Sequence, residues 1–135
     1  MRAGFTGDLV LKAIPPNMWE VVEAFSYCTF VKGDKPRTIK VPVGEKTDLA
    51  SIPRSVRFLI SQNGRHRGAA VVHDRLYKQA GLNRYTRKQC DEVFLEAMAV
   101  SGVPWWKRQM MYRGLRAGGW VVYNKYKKSN EVIKE

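Results

Sequence analysis

The sequence predicts an α+β fold, a small N-terminal antiparallel sheet followed by a three-helix core, and three observations carry that reading. In the first third, apolar residues stand two apart, as at Ile39, Val41 and Val43, which is the period of a strand with one buried face. From Gly64 onward they recur at intervals of three and four, the period of a helix packed on one side. The chain has 135 residues, 44% of them apolar and 11% aromatic, enough to build one core without disulfide support.

Taken in order, 1–44 is the β-rich part. Segment 8–14 alternates around Leu9, Leu11 and Ala13, 19–31 is rich in β-branched and aromatic residues, and 38–43 has strict period two. Pro15-Pro16-Asn17 and Lys32-Gly33-Asp34-Lys35-Pro36 separate them and suit hairpin or crossover connections. Residues 45–62 form a loop and a short helix, with Pro53 placed to open the helix and carry it to about Ile60. The helical core occupies 63–128, with helices over 65–80, 87–101 and 104–127, and 129–135 is a tail of the same single domain. Thr86 and Gln89 have the spacing of a capping box, and Pro104 suits the first position of the third helix. Gly118-Gly119 falls inside that helix, where each glycine costs up to about 1 kcal/mol against alanine. Close backbone approach is a reason to keep them.

The formal net charge is +12, from 24 Lys and Arg against 12 Asp and Glu. Such an excess attracts nucleic acid, anionic lipid or acidic protein. Cys28 and Cys90 stand alone, without the CxxC pairing of a zinc site or the density of a disulfide scaffold, which fits a reducing compartment. Met1-Arg2-Ala3-Gly4-Phe5 does not begin an apolar signal sequence, and no segment approaches membrane-spanning length.

One constellation can carry chemistry. Ala69, Ala70, Val72, His73, Leu76, Tyr77 and Ala80 form one stripe on the first long helix, and Asp91, Phe94, Leu95 and Met98 form another on the second. A histidine and a carboxylate are thus both placed among core residues, where each needs a partner. With antiparallel helices, Asp91 accepts a hydrogen bond from one ring nitrogen of His73 and leaves the other to act as a base. Tyr77 can donate to the same carboxylate. Asp74 points about 100° round the helix, towards the loop at 44–52, where it can bind a cation.

Two resemblances attach to these residues. The run Thr47-Asp48-Leu49-Ala50-Ser51-Ile52-Pro53-Arg54, then His73-Asp74-Arg75-Leu76-Tyr77, then Asp91 with Phe94 and Met98, resembles a family of small phage and prophage proteins of unassigned function, over nearly the whole chain. That resemblance implies synthesis in the cytoplasm of a bacterial host and no established activity. Over about residues 65–125, His73-Asp74 with Tyr77, Cys90-Asp91 and the glycine-containing stretch at 112–123 are similar to the phospholipase A₂ superfamily. The second resemblance implies a phospholipase A₂-like helical core. In it His73 activates water, Asp91 fixes its tautomer, and Asp74 holds calcium with carbonyls of an upstream loop, Asp48 being the further carboxylate offered there. The loop differs from that superfamily's glycine-rich calcium loop, offering Gly44 and Asp48.

Plainer readings stand beside these. His73, Asp91 and Tyr77 can simply neutralise one another and fix helix register; Asp74 can be a solvated residue or pair with Lys78; Asp48 with Thr47 can shape a turn. His66 between Arg65 and Arg67 reads as part of a basic face. Trp105, Trp106, Lys107 and Arg108 suit a lipid or anionic surface, with core anchoring of at least one tryptophan the alternative. The basic, aromatic run at 124–128 suits nucleic-acid or virion contacts, or a frayed helix end. The functional expectation is a metal-assisted esterase acting at the bacterial envelope; the alternative is a non-catalytic virion or assembly protein on the same framework.

Overall fold

The computed structural model describes residues 3–7, 9–15, 18–33, 35–47 and 67–134, with side chains up to Glu131. The α+β class holds. Among the described residues two three-stranded antiparallel sheets stand where one was expected. The first has order β1-β4-β5 (Gly4–Thr6, Phe25–Thr29, Arg37–Val41), and the second has order β2-β3-β6 (Leu11–Ile14, Met18–Val21, Lys46–Thr47). The single strand expected over 19–31 is split by exposed Val22, Glu23 and Ala24, where the chain leaves one sheet for the other. Val22 donates to the Val10 carbonyl at 2.9 Å, so the end of β3 stays tied to its own hairpin.

In β4 and β5 alternate residues face the core. Phe25, Tyr27 and Thr29 are buried on one strand and Ile39 and Val41 on the other, and the register sets Tyr27 opposite Ile39 and Phe25 opposite Val41. This is the one-sided burial that period-two patterning produces. Gly44, at φ 89°, takes the left-handed conformation that glycine adopts without strain. Its N–H bonds the Val21 carbonyl at 2.8 Å, and Val21 N–H bonds the Glu45 carbonyl at 2.8 Å. That turn delivers β6 to β3 and carries Glu45 towards the first helix.

Among the described residues four helices follow: α1 Arg67–Lys78, α2 Arg87–Val100, α3 Trp105–Gly118 and α4 Trp120–Lys134. The whole predicted stripe of α1 is buried, from Ala69 to Ala80. On α2 the buried face is Cys90, Asp91, Val93, Phe94, Ala97 and Met98, and Leu95 lies at its edge, half-buried. The capping box is present: Gln89 N–H donates to Thr86 Oγ1 at 3.1 Å and Thr86 N–H to Gln89 Oε1 at 3.0 Å. Replacing Thr86 by alanine is expected to cost about 1 kcal/mol, read as a small fall in denaturation midpoint. Pro104 is the N-cap of α3, one position earlier than expected.

The helix expected to run unbroken over 104–127 is interrupted at Gly119, and the expected tail is helical to Lys134. Glycine pairs are a recognised cause of helix kinks, and here the break sits against other groups. A β-carbon on Gly119 would lie 2.7 Å from the Tyr77 hydroxyl and 2.7 Å from the Leu115 carbonyl oxygen. Beyond the break, Asn130 Nδ2 donates to the carbonyls of Lys78 and Ala80, each at 2.9 Å. It thereby satisfies acceptors that the end of α1 leaves without helical partners and docks α4 there. Asp48, His66 and the short helix opened by Pro53 lie outside the described residues.

Candidate functional site

Helices α1 and α2 pack along much of their length and bring His73 and Asp91 together. His73 Nε2 is 2.9 Å from Asp91 Oδ1, and the Tyr77 hydroxyl donates to the same oxygen at 2.5 Å. Helical spacing explains the pairing, since His73 and Tyr77 are four residues apart on one face. Their rings are 4.1 Å apart between centroids, and Phe94 closes on the imidazole at 5.2 Å. His73, Tyr77 and Asp91 are each 0% exposed.

The other carboxylate oxygen belongs to arginines. Arg116 NH1 donates to Asp91 Oδ2 at 2.8 Å from α3, and Arg87 NH1 lies 3.5 Å from it one turn earlier on α2. Arg87 also donates to the Leu115 carbonyl at 3.0 Å, which fastens the end of α3 to the start of α2. Burial alone would raise the Asp91 pKa. The hydrogen bond and charge of His73, together with bonds from Tyr77 and Arg116, outweigh it and hold the carboxyl below its usual range. An ionised Asp91 accepts, so His73 Nε2 is the donor. Burial and the neighbouring Asp91 charge push the Tyr77 hydroxyl up, keeping it protonated as a donor. Cys90, next to Asp91, is pushed up to about 12 by burial first and by that charge second, which makes it an inert thiol.

Asp74 sits beside His73 but faces another way. It is 1% exposed, so it is not the solvated residue that was one alternative, and neither of its carboxylate oxygens has a hydrogen-bond partner. Lys78 Nζ stands 3.4 Å from Asp74 Oδ2 and 3.8 Å from Glu45 Oε1, and donates to the Lys46 carbonyl. Glu45 Oε2 in turn accepts from Arg75 NH1 at 2.9 Å, while its Oε1 has no hydrogen-bond partner. Two carboxylates and a carbonyl thus surround one ammonium. Among the described residues no group of three His, Cys, Asp or Glu side chains gathers as a metal site.

The predicted residues thus divide. His73, Asp91 and Tyr77 form one contact cluster, and Asp74 joins Glu45 and Lys78 on the neighbouring side. Trp105 and Trp106 are 64% and 56% exposed, so neither anchors the core. Sequence reasoning missed Arg87, Arg116 and Glu45. The four-residue spacing of Arg87 and Asp91 was a legible signal, whereas Arg116 and Glu45 arrive from elements distant in sequence. Among the described residues no helix is long and apolar enough to cross a membrane.

The match to known proteins covers this same ground. An uncharacterized protein of Sinorhizobium fredii, y4jT, is 29% identical over 121 residues, which are 85% of this chain and 33% of that protein, so the chain spans about a third of its length. No solved structure matches. The family described as protein of unknown function DUF1353 matches residues 19–115, from β3 into the last turn of α3. That span holds Glu45, His73, Asp74, Tyr77 and Asp91, stops one residue before Arg116, and establishes that the chain belongs to the DUF1353 family.

Proposed function

We propose that this chain is a phage or prophage hydrolase that cleaves an ester, with phospholipid of the bacterial envelope as the substrate class. The observation that supports it is the sharing of Asp91 Oδ1 by His73 Nε2 and Tyr77, the contact by which an ionised carboxylate orients an imidazole. In this reading the imidazole of His73 takes a proton from water, the resulting hydroxide attacks the ester carbonyl, and the proton passes to the departing alcohol. Asp91 stabilises the imidazolium that exists between the two transfers. The ring is fully buried, so turnover requires the side chains packed on it to part.

The carboxylates of Asp74 and Glu45 and the Lys46 carbonyl are hard oxygen donors of the kind calcium prefers. The buried oxygens of Asp74, which lack a hydrogen bond, fit a cation, and in the present arrangement the Lys78 ammonium neutralises them. Calcium held there would polarise the ester carbonyl and stabilise its oxyanion. Lys78→Met removes the competing charge and is expected to tighten calcium binding by about tenfold or more, on the order of 1.4 kcal/mol, by isothermal titration. Absence of calcium binding by both proteins would remove the metal from this reading.

The catalytic test is calcium-dependent release of fatty acid from phosphatidylglycerol vesicles, expected for the natural chain and abolished in His73→Gln with the fold retained. No release under any divalent metal would overturn it. A second reading, a virion or assembly protein with no turnover, is favoured by the complete burial of His73 and by the four partners that satisfy Asp91. It predicts the protein in purified particles at fixed stoichiometry.

A further inference from the structure

Five of the nine large apolar side chains exposed among the described residues lie between 105 and 121: Trp105, Trp106, Met110, Trp120 and Val121. Their positions are not scattered. On α3, Met111 and Leu115 are buried, and Trp106, Met110 and Ala117 fall on the opposite side at 100° per residue. Trp120 and Val121 follow directly after the break at Gly119, where the backbone keeps a right-handed helical conformation (φ −71°, ψ −18°). The stripe therefore continues from α3 onto the first turn of α4, over about 22 Å at 1.5 Å per residue.

The charge around it has one sign. From Ala97 to Asn130 the sequence holds seven lysines and arginines and no aspartate or glutamate. Arg113 stands within the stripe, and Lys125 and Lys128 are exposed farther along α4. Arg116 and Arg108 are committed, to Asp91 and to the Val103 carbonyl at 2.9 Å. The remaining cations flank an apolar band that no described element covers. A nucleic-acid face would need the charge but not three exposed tryptophans beside Met110 and Val121. An acyl–headgroup boundary uses both, with the rings at headgroup depth and the cations against lipid phosphates.

We propose that the outer face of α3 and the first turn of α4 bind an anionic lipid surface, with Trp106, Met110, Trp120 and Val121 entering the interface and Arg113 and Lys125 meeting the headgroups. The binding needs no turnover.

The test uses the full chain carrying His73→Gln, without divalent metal, so that its outcome is separate from that of hydrolysis. Partition into phosphatidylcholine vesicles containing phosphatidylglycerol is measured by sedimentation against phosphatidylcholine alone, with the tryptophan emission recorded. Expected are preference for the anionic vesicles, a blue shift on binding, and a loss of about tenfold or more in partition for Trp106→Ser with Trp120→Ser. These residues are exposed, so the double variant should keep its circular dichroism and melting temperature. No binding to the anionic vesicles would overturn the proposal. So would binding that the double variant retains in full, or equal and fully salt-abolished binding to vesicles and to duplex DNA, which marks a generic polyanion contact.

Discussion

Asp91→Ala is expected to destabilise the fold by about 3 to 5 kcal/mol, the largest effect of any single substitution considered. The carboxylate is 0% exposed and is the common acceptor for His73, Tyr77 and Arg116, with Arg87 alongside. Its removal leaves a buried imidazole and a buried hydroxyl without that partner, and an uncompensated guanidinium near the core. Arg116 and Arg87 are 33% and 19% exposed; they can turn to water, which places the cost towards the lower end of the range. Chemical denaturation should show a reduced midpoint with an unchanged slope. A loss under about 1 kcal/mol would mean that the cluster is not held together by Asp91.

The same carboxylate sets an acid limit. Its folded pKa lies below the unfolded value, so it contributes stability that is fully present above about pH 4. That contribution is lost as the pH falls through the folded value. The denaturation midpoint of the natural chain should therefore drop below about pH 4, and Asp91→Asn should flatten this dependence while lowering stability at neutral pH.

Gly119→Ala is the second large expectation, and its sign is what matters. Helix propensity alone predicts a gain of up to about 1 kcal/mol, because the position is right-handed and ends a helix. The added β-carbon would instead stand 2.7 Å from the Tyr77 hydroxyl, at the far end of a rigid buried ring. Moving that ring lengthens its 2.5 Å bond to Asp91. A net loss of about 2 kcal/mol is expected. In a Tyr77→Phe background the hydroxyl is gone and only the contact with the Leu115 carbonyl remains. The cost should then shrink by about 1 kcal/mol in a double-mutant cycle. A rise in melting temperature for Gly119→Ala would show that the approach of α4 to Tyr77 is looser than described.

These two residues also show what the sequence could and could not disclose. His73, Tyr77 and Asp91 were legible because helical periodicity puts polar groups on otherwise apolar stripes, and buried polar groups demand partners. The glycine pair was legible as a close approach, though not as a break, since the sequence does not say what approaches. Arg116 was illegible for the same reason: it reaches Asp91 across 25 positions, and many arginines compete for that role on paper. The split into two sheets turns on the bend at Val22-Glu23-Ala24 and on the Gly44 turn. The bend at 22–24 carries no proline or glycine like those that marked the hairpins, and Pro42 with Gly44 marks a turn without showing which strand it leads to. Glu45 was missed because only that turn brings it beside α1. The exposed stripe on α3 and α4 was half-visible, as Trp105 and Trp106, and its extension to Trp120 and Val121 depended on how the chain passes Gly119.

Asp91 holds the imidazole of His73 through a proton on Nε2. Nitrogen-15 chemical shifts and long-range proton couplings of the His73 ring, recorded at pH 8, read this directly. A protonated Nε2 is the predicted result, altered in Asp91→Asn. An Nε2 without a proton in the natural chain would contradict it.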